Sequence, residues 1–331
     1  MVMRTGIAVA AGVVALALGS GVACAQDFPQ KNVRIIVTFP PGGANDGATR
    51  IVAEKATEIW GKQVIVDFRA GAAGNIGAMA VAKSPPDGHT LLMIGGSYFT
   101  NPATMKNMPF DALKDLVGVT PSAASGMLLV ANSALPVRSM KELIAMARKH
   151  PGKLTFASSG TGGSLHLCGE MLNVMAKLNT LHVPYKGGGP ALIDVVAGQV
   201  DMMWTGVAPT LPHIKSGRLR PLSVAGAKRN VSLPDTPTVI ESGVPGFEVY
   251  AHNGFLAPAG VPPAVMQKLN ATLQQILQSP DTKEKYQRLG IDAISSTPEQ
   301  YNEYIRNEIA KWQKVVGAIG LQPADCAAGA C

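Results

Sequence analysis

Seven short runs of β-branched and apolar residues alternate with segments whose apolar residues recur at helical spacing, and most of the joins between them carry glycine. The runs are VRIIVT (33–38), QVIVDF (63–68), HTLLMIG (89–95), LTFAS (154–158), LHVPY (181–185), VDMMWT (200–205) and LRPLSVA (219–225). Strand, loop and helix in repeated order predict parallel α/β units. Ser139-Met-Lys-Glu142 opens the helical segment ELIAMARKH, which stops at Pro151-Gly152, and Thr297-Pro-Glu-Gln300 opens a long C-terminal helix. Both are capping boxes. PPDG at 85–88 is a turn. The runs fall into an N-terminal set and a middle set, followed by a mainly helical tail, with GMLLVAN (126–132) and FEVYAHNGFLAP (247–258) at the two joins. A tail that packs back on the first set makes the chain cross between domains twice and enclose a cleft. The expectation is an α/β fold of two domains, one from 26–128 plus 252–331 and one from 129–251.

At 331 residues, 47% hydrophobic and 15% charged, the chain has ample material for two cores. Residues 1–25 combine Arg4, an apolar run and the triplet Ala23-Cys24-Ala25, the pattern of a cleaved secretory signal peptide. Gly21-Val22 before Cys24 is not what a lipidation site usually shows. The mature chain is therefore expected in the periplasm. Loss of Arg4 leaves 28 basic against 22 acidic residues, a scattered balance of +6 that favours anions mildly. There is no basic stripe interleaved with aromatics, so nucleic acid is not an expected partner. Cys168, Cys326 and Cys331 lack any zinc-ligand spacing, and no metal or cofactor is expected. Cys168 reads as a buried thiol; Cys326 and Cys331 are spaced to close a small loop in the tail.

The glycine joins are the candidate site. FPPGGANDGATR places Phe39, Pro41, Gly42, Gly43 and Asp46 between a strand and a helix, with Asn45 or Asp46 as the expected N-cap. A helix start offers unpaired N–H groups and partial positive charge, and glycine lets a ligand approach that backbone. Similar joins are RAGAAGNIG, with Asn75; SSGTGGS, with Ser158, Ser159, Gly160, Thr161 and Ser164; and YKGGGP, after Tyr185. Ser97 follows the third run in the same way. Together they suggest one crevice lined with N–H and hydroxyl donors, suited to a small anion. Enzyme signatures are missing: there is no G-x-S-x-G, Walker lysine or H-E-x-x-H, and GAAGNIG lacks the first glycine pair of a dinucleotide fingerprint. His166 lies beside the serines, early in a helix, where donation to a ligand and packing are equally natural.

The segments FPQKNVRIIVTFPPGGANDGATR, AGAAGNIGAMAVAKSPPDGHTLL, LPVRSMKELIAMARKHPGKLTFASSGTGGSLHL, VPYKGGGPALIDVVAGQVDMM and LPDTPTVIESGVPGFEV make the chain resemble the substrate-binding proteins of tripartite tricarboxylate transporters, the TctC or Bug family. The resemblance runs over essentially the whole mature chain. It implies a two-domain periplasmic-binding-protein fold, type II-like, that closes as a monomer on a small carboxylate and delivers it to membrane permease subunits. It also implies that FPPGGANDG and SSGTGGS grip carboxylate through backbone N–H, hydroxyls and bridging water.

Two positions depart from the commoner family pattern. Trp204-Thr205 stands where relatives often carry Phe and Asp, which removes a partner for an ammonium group. His252 and Asn253 stand where an aromatic pair is common. Trp204 either packs in the core or stacks on a planar ligand while His252 or Asn253 recognises a polar end. A periplasmic enzyme acting on a carboxylic acid and a sensor that passes its closed form to a signalling receptor are the competing readings.

Overall fold

The computed structural model describes residues 28–39, 41 and 44–323. The signal segment, Pro40, Gly42, Gly43, Cys326 and Cys331 lie outside the described residues, so the expectations placed on them stay with the sequence.

Eleven strands form two sheets among the described residues. The first sheet contains β1 (Val33–Val37), β2 (Val64–Phe68), β3 (Thr90–Ile94), β4 (Leu116–Gly126), β10 (Tyr250–Pro258) and β11 (Asp292–Ala293), in the order β11-β4-β10-β3-β1-β2. The second contains β5 (Leu128–Asn132), β6 (Thr155–Ser158), β7 (Leu181–Pro184), β8 (Met202–Thr205) and β9 (Leu219–Val224), in the order β7-β6-β8-β5-β9. In each sheet the strands followed by helices run parallel, β1 with β2 and β3, and β6 with β7 and β8. The strands next to the crossings, β4, β10, β5 and β9, pair antiparallel. All seven predicted runs are strands, to within two residues at their ends. The two segments expected only as joins are strands as well, one in each sheet, and β4 was not anticipated at all.

The helices are α1 (Ala44–Trp60), α2 (Asn75–Ala82), α3 (Ser97–Thr104), α4 (Met140–Lys149), α5 (Ser164–Ala176), α6 (Gly188–Ala197), α7 (Leu211–Lys215), α8 (Pro263–Gln278), α9 (Pro280–Arg288) and α10 (Pro298–Ala318). Both capping sequences open helices: Thr297 and Gln300 form the full reciprocal box, whereas Ser139 accepts the Glu142 N–H but the Glu142 carboxylate turns to the Arg138 N–H, so only half of that box is made. The cap expected for α1 is corrected: the helix begins at Ala44, so Asn45 and Asp46 sit inside its first turn. No described helix is long and apolar enough to cross a membrane.

The chain passes from one sheet to the other at Met127 and returns between β9 and β10, and the two passages are tied together. The Ala225 N–H donates to Met127 O at 2.7 Å, Val249 N–H to Ala225 O at 2.8 Å, and Met127 N–H to Val249 O at 3.3 Å. Gly126 and Gly226 face each other here, and a Cβ on Gly126 would fall 2.8 Å from the Gly226 nitrogen. Only residues without side chains let the two passages approach so closely. One apolar core then runs across both sheets, from Leu92 and Phe99 through Leu129 and Phe156 to Ile305 and Trp312 of α10. The C-terminal helix packs on α3 and on α5, and so joins the two halves a second time.

Candidate functional site

The ends of four interior strands converge on one cavity of about 520 Å³ between the sheets. From the first sheet, β1 leads to Phe39 and to Asn45 of α1, and β3 leads to Gly96 and Ser97 of α3. From the second, β6 leads to Ser159–Leu165 at the start of α5, and β8 to Gly206–Pro209. Ala73 of the loop after β2, Asn101 and Thr104 of α3, Met105 just after it, Ser125 of β4, Met127, Ala251–Asn253 of β10, Leu289–Ile291, Leu321 and Gln322 complete the wall. The halves approach closely: a Cβ on Gly96 would lie 3.0 Å from Ser164 Oγ, and one on Gly290 would lie 2.7 Å from Ala208 Cβ.

No Asp, Glu, Lys or Arg belongs to the wall among the described residues. The polar character comes instead from the N-terminal ends of α1, α3 and α5, which bring partial positive charge and free N–H groups to the same space, and from the hydroxyls of Ser97, Ser159, Thr161 and Ser164. A small anion is the natural complement of such a surface. The described residues include no group of three or more His, Cys, Asp and Glu able to hold a metal.

Behind the 159–163 loop lies a polar brace. Gly160 and Gly162 have φ of 140° and 80°, conformations that suit glycine, and each donates its N–H to a buried side chain. Gly160 donates to Ser158 Oγ at 3.1 Å, and Gly162 to His166 Nδ1 at 3.0 Å. The second bond requires a lone pair on Nδ1, which places the proton of a neutral His166 ring on Nε2, 3.7 Å from Glu170 Oε1. Ser158 Oγ also meets His182 Nε2 at 2.6 Å, and the two imidazole rings stack with centroids 3.8 Å apart. Burial, reinforced by His166, pushes the His182 pKa down to about 4. Ser158 is fully buried and His166 is 5% exposed; neither is part of the wall.

The structure thus divides the predicted site residues. Phe39, Ser97, Ser159, Gly160, Thr161, Ser164, His252 and Asn253 are brought together on the wall. Ser158 and His166, expected as ligand donors, stand behind the loop and shape it. Asp46 pairs with Arg50 at 2.6 Å, and Asn75 accepts the Asn101 amide at 3.0 Å, supporting a wall residue without being one. Pro41 is exposed and off the wall. Tyr185 donates to Asp194 at 2.7 Å, which together with burial raises its pKa to about 12, and the 185–190 loop does not reach the cavity. Trp204 and Thr205 are 1% and 6% exposed, and Trp204 stacks on Phe247 at 5.5 Å. Of its two readings, the core one is what the geometry realises. Sequence reasoning missed the 206–209 loop and missed Asn45 as a wall residue, whose side-chain oxygen accepts the Asn253 amide at 2.7 Å. The small-residue run Gly206-Val207-Ala208-Pro209 after a strand was the available signal.

The family model described as "Tripartite tricarboxylate transporter family receptor" matches residues 48–321. A protein encoded in the tcbD–tcbE intergenic region of Pseudomonas sp. (strain P51) is 39% identical over 87% of this chain and 86% of its own length. BugT of Bordetella pertussis is 34% identical over 90% and 92%. Among solved structures, R. palustris Rpa4515 with adipate superposes with a TM-score of 0.79 at 32% identity, covering 90% of this chain and all of that one. MatC from Rhodopseudomonas palustris with bound malate gives 0.74 at 30% identity, over 87% of this chain and all of that one.

Proposed function

Because the chain belongs to the family of tripartite tricarboxylate transporter receptors, we propose that it captures a small organic carboxylate in the periplasm and hands it to the permease subunits of such a transporter. The observation that carries this reading is the wall: three helix N-termini and the hydroxyls of Ser97, Ser159, Thr161 and Ser164 around one cavity, with no acidic side chain among the described lining residues to repel an anion. Adipate and malate on two similar structures agree with a carboxylate and differ enough to leave its body open. In this reading 129–251 is the domain that closes on 26–128 plus 252–331, and the bonded passages at Met127, Ala225 and Val249 are the pivot.

The carboxylate sits against the start of α5, where Ser164 and the 159–163 loop meet it, with α1 and α3 opposite. Charge-assisted bonds from hydroxyl and backbone donors supply affinity without a cationic side chain. A ligand with an ammonium group finds no counter-charge among the described residues of the wall. A thermal-shift screen followed by calorimetry tests this: mono- and dicarboxylates should raise the melting temperature and amino acids should not. Recovery of a chemically altered carboxylate after incubation with the pure protein would establish an enzyme instead.

A further inference from the structure

We propose that His166 is a proton-sensitive positioning residue: as a neutral ring it holds the 159–163 loop in the shape that grips carboxylate, and on taking up a proton it releases the loop, so that capture weakens in acid. The inference rests on the carboxylate reading above and adds to it a control of the grip.

The protons of the brace follow from its bonds. Gly162 donates its N–H to His166 Nδ1 at 3.0 Å, so that nitrogen carries a lone pair and no hydrogen. Ser158 Oγ lies 3.0 Å from Gly160 O, which only accepts, so the single hydroxyl proton is spent there. The oxygen then receives the Gly160 N–H and the His182 Nε2–H. The two imidazoles therefore differ in what a further proton does. His182 would take it on Nδ1 and keep its bond to Ser158. His166 can take it only on Nδ1, where the Gly162 N–H already points. Donor facing donor is a bond lost in a buried place, since His166 is 5% exposed.

The surroundings decide which part gives way. The His166 ring stacks on His182 at 3.8 Å and lies nearly parallel to Phe156 at 6.3 Å, so its plane is fixed. The loop is freer, with glycine at 160, 162 and 163, and it carries Ser159 and Thr161 to the wall. Turning the Gly162 peptide away from the ring moves these donors out of the alignment a hydrogen bond needs. The titratable groups facing the ring are His182 of β7 and Glu170, one turn along α5. The strand β6 brings the uncharged Phe156 and Ser158, and α10, packed on α5, brings Lys311, which is paired with Glu308. Glu170 Oε1, 3.7 Å from His166 Nε2, favours the imidazolium and offsets its charge. The added proton thus acts through the lost bond and not by drawing an anion to the loop. Burial, then the neighbouring His166, pushes the His182 pKa down to about 4, so that ring stays neutral at milder pH.

The test is calorimetry of the full mature protein between about pH 8 and about pH 6, a range in which simple carboxylates keep their charge. The probe is whichever of benzoate, hexanoate, malate and adipate binds tightest at the upper end. Its affinity should fall at least about three-fold across the range, and binding near the lower end should release protons, read as a dependence of the heat on the buffer. His166→Asn puts a non-titrating acceptor where Nδ1 stands, whereas His166→Phe keeps a ring to stack but no acceptor. Both should lose the pH dependence, and at the upper end the Asn variant should bind at least about three-fold tighter than the Phe variant; a role in packing alone would give the reverse order. Glu170→Gln should move the loss of affinity to lower pH and serves if the histidine variants do not fold. Nitrogen NMR of histidine-labelled protein without ligand should show the proton of the neutral His166 ring on Nε2. An affinity that is flat or rises in acid, a slope that survives His166→Asn, the Phe variant binding as well as the Asn variant, an unchanged profile in Glu170→Gln, or a neutral ring protonated on Nδ1 would overturn the switch while leaving carboxylate capture in place. Failure of all four acids to bind would remove the carboxylate reading, and the inference with it, whatever the tautomer.

Discussion

The wall segment Ser159–Leu165 and the wall segment Ser125 with Ala251–Asn253 face the same cavity but are supported in different ways. Behind the first stands a closed circuit in which Ser158, His166, His182 and Glu170 engage the loop and one another. Its buried polar atoms are spoken for, and the loop's outward groups are held still before a ligand arrives. The second belongs to an antiparallel ladder, whose paired backbone needs no such brace, and its side chains at 125 and 252 keep unpaired atoms. A braced loop suits the part of a ligand common to a class, because donors fixed in advance lose little entropy on binding. A ladder fixes its backbone by strand pairing alone, so side chains can differ there without disturbing the rest of the wall.

Four substitutions and conditions sharpen or break that contrast. The largest effect is expected at Trp204, which lies under the second-sheet wall: Trp204→Ala should cost about 3–5 kcal/mol of stability and lower affinity for every acid only in proportion to the fraction unfolded. A ligand-selective loss of affinity at full folding would return Trp204 to the site. Next is Ser158→Ala, which strands the Gly160 N–H and the His182 ring nitrogen in the interior and should cost about 1–3 kcal/mol of stability, read by urea titration. This replaces the simple expectation of a lost ligand bond, because the hydroxyl points into the brace. Ser164→Ala is the counterpart on the open side of the loop. It should leave the urea midpoint unchanged and weaken carboxylate binding by about 1–3 kcal/mol; equal affinity in both proteins would take this hydroxyl out of the grip.

Apart from the substitutions stands the effect of pH on the unliganded protein. His182, with its folded pKa pushed from 6.5 to about 4, and His252, pushed to about 3, both bind protons more readily in the unfolded chain. Their contribution to stability is therefore complete above about pH 6.5 and is lost as the pH falls through the range down to about 4 and 3. Melting temperatures from pH 7.5 to 4 should decline, and His182→Asn should make the decline shallower. A flat profile in the wild type would mean that the imidazoles are not held neutral by the fold.

The local chemistry was legible where local physics dominates. The seven strands announced themselves by β-branched runs, and Ser139 and Thr297 capped helices because a hydroxyl three residues ahead of a free N–H needs nothing distant. β4 escaped because LVGVTPSAASG has a proline and six Gly, Ala and Ser residues. Its Pro121 is tolerated at a register shift opposite Gly254, where the ladder is irregular. The helix start at Ala44 was misplaced because three of the residues that follow Phe39 and Pro40 in sequence can each cap or turn the chain.

Read alone, the sequence determined the class of element at each segment, the donor-rich character of the strand–helix joins and the family they resemble. It did not determine which joins share a cavity. Strand order decided that. β2 and β7 are edge strands, so the loop after β2 reaches the wall only through Ala73 and the loop after β7, with Tyr185, not at all; β1, β3, β6 and β8 are interior and deliver their loops to the cleft. Strand order follows from packing between residues far apart in the chain, and a glycine-rich loop reads the same whether it follows an edge strand or a central one. For the same reason Trp204 and Thr205 on one side of a strand end, and Ser158 just short of another, were indistinguishable from ligand contacts until the tertiary fold assigned each side chain to the core, to the brace or to the open wall.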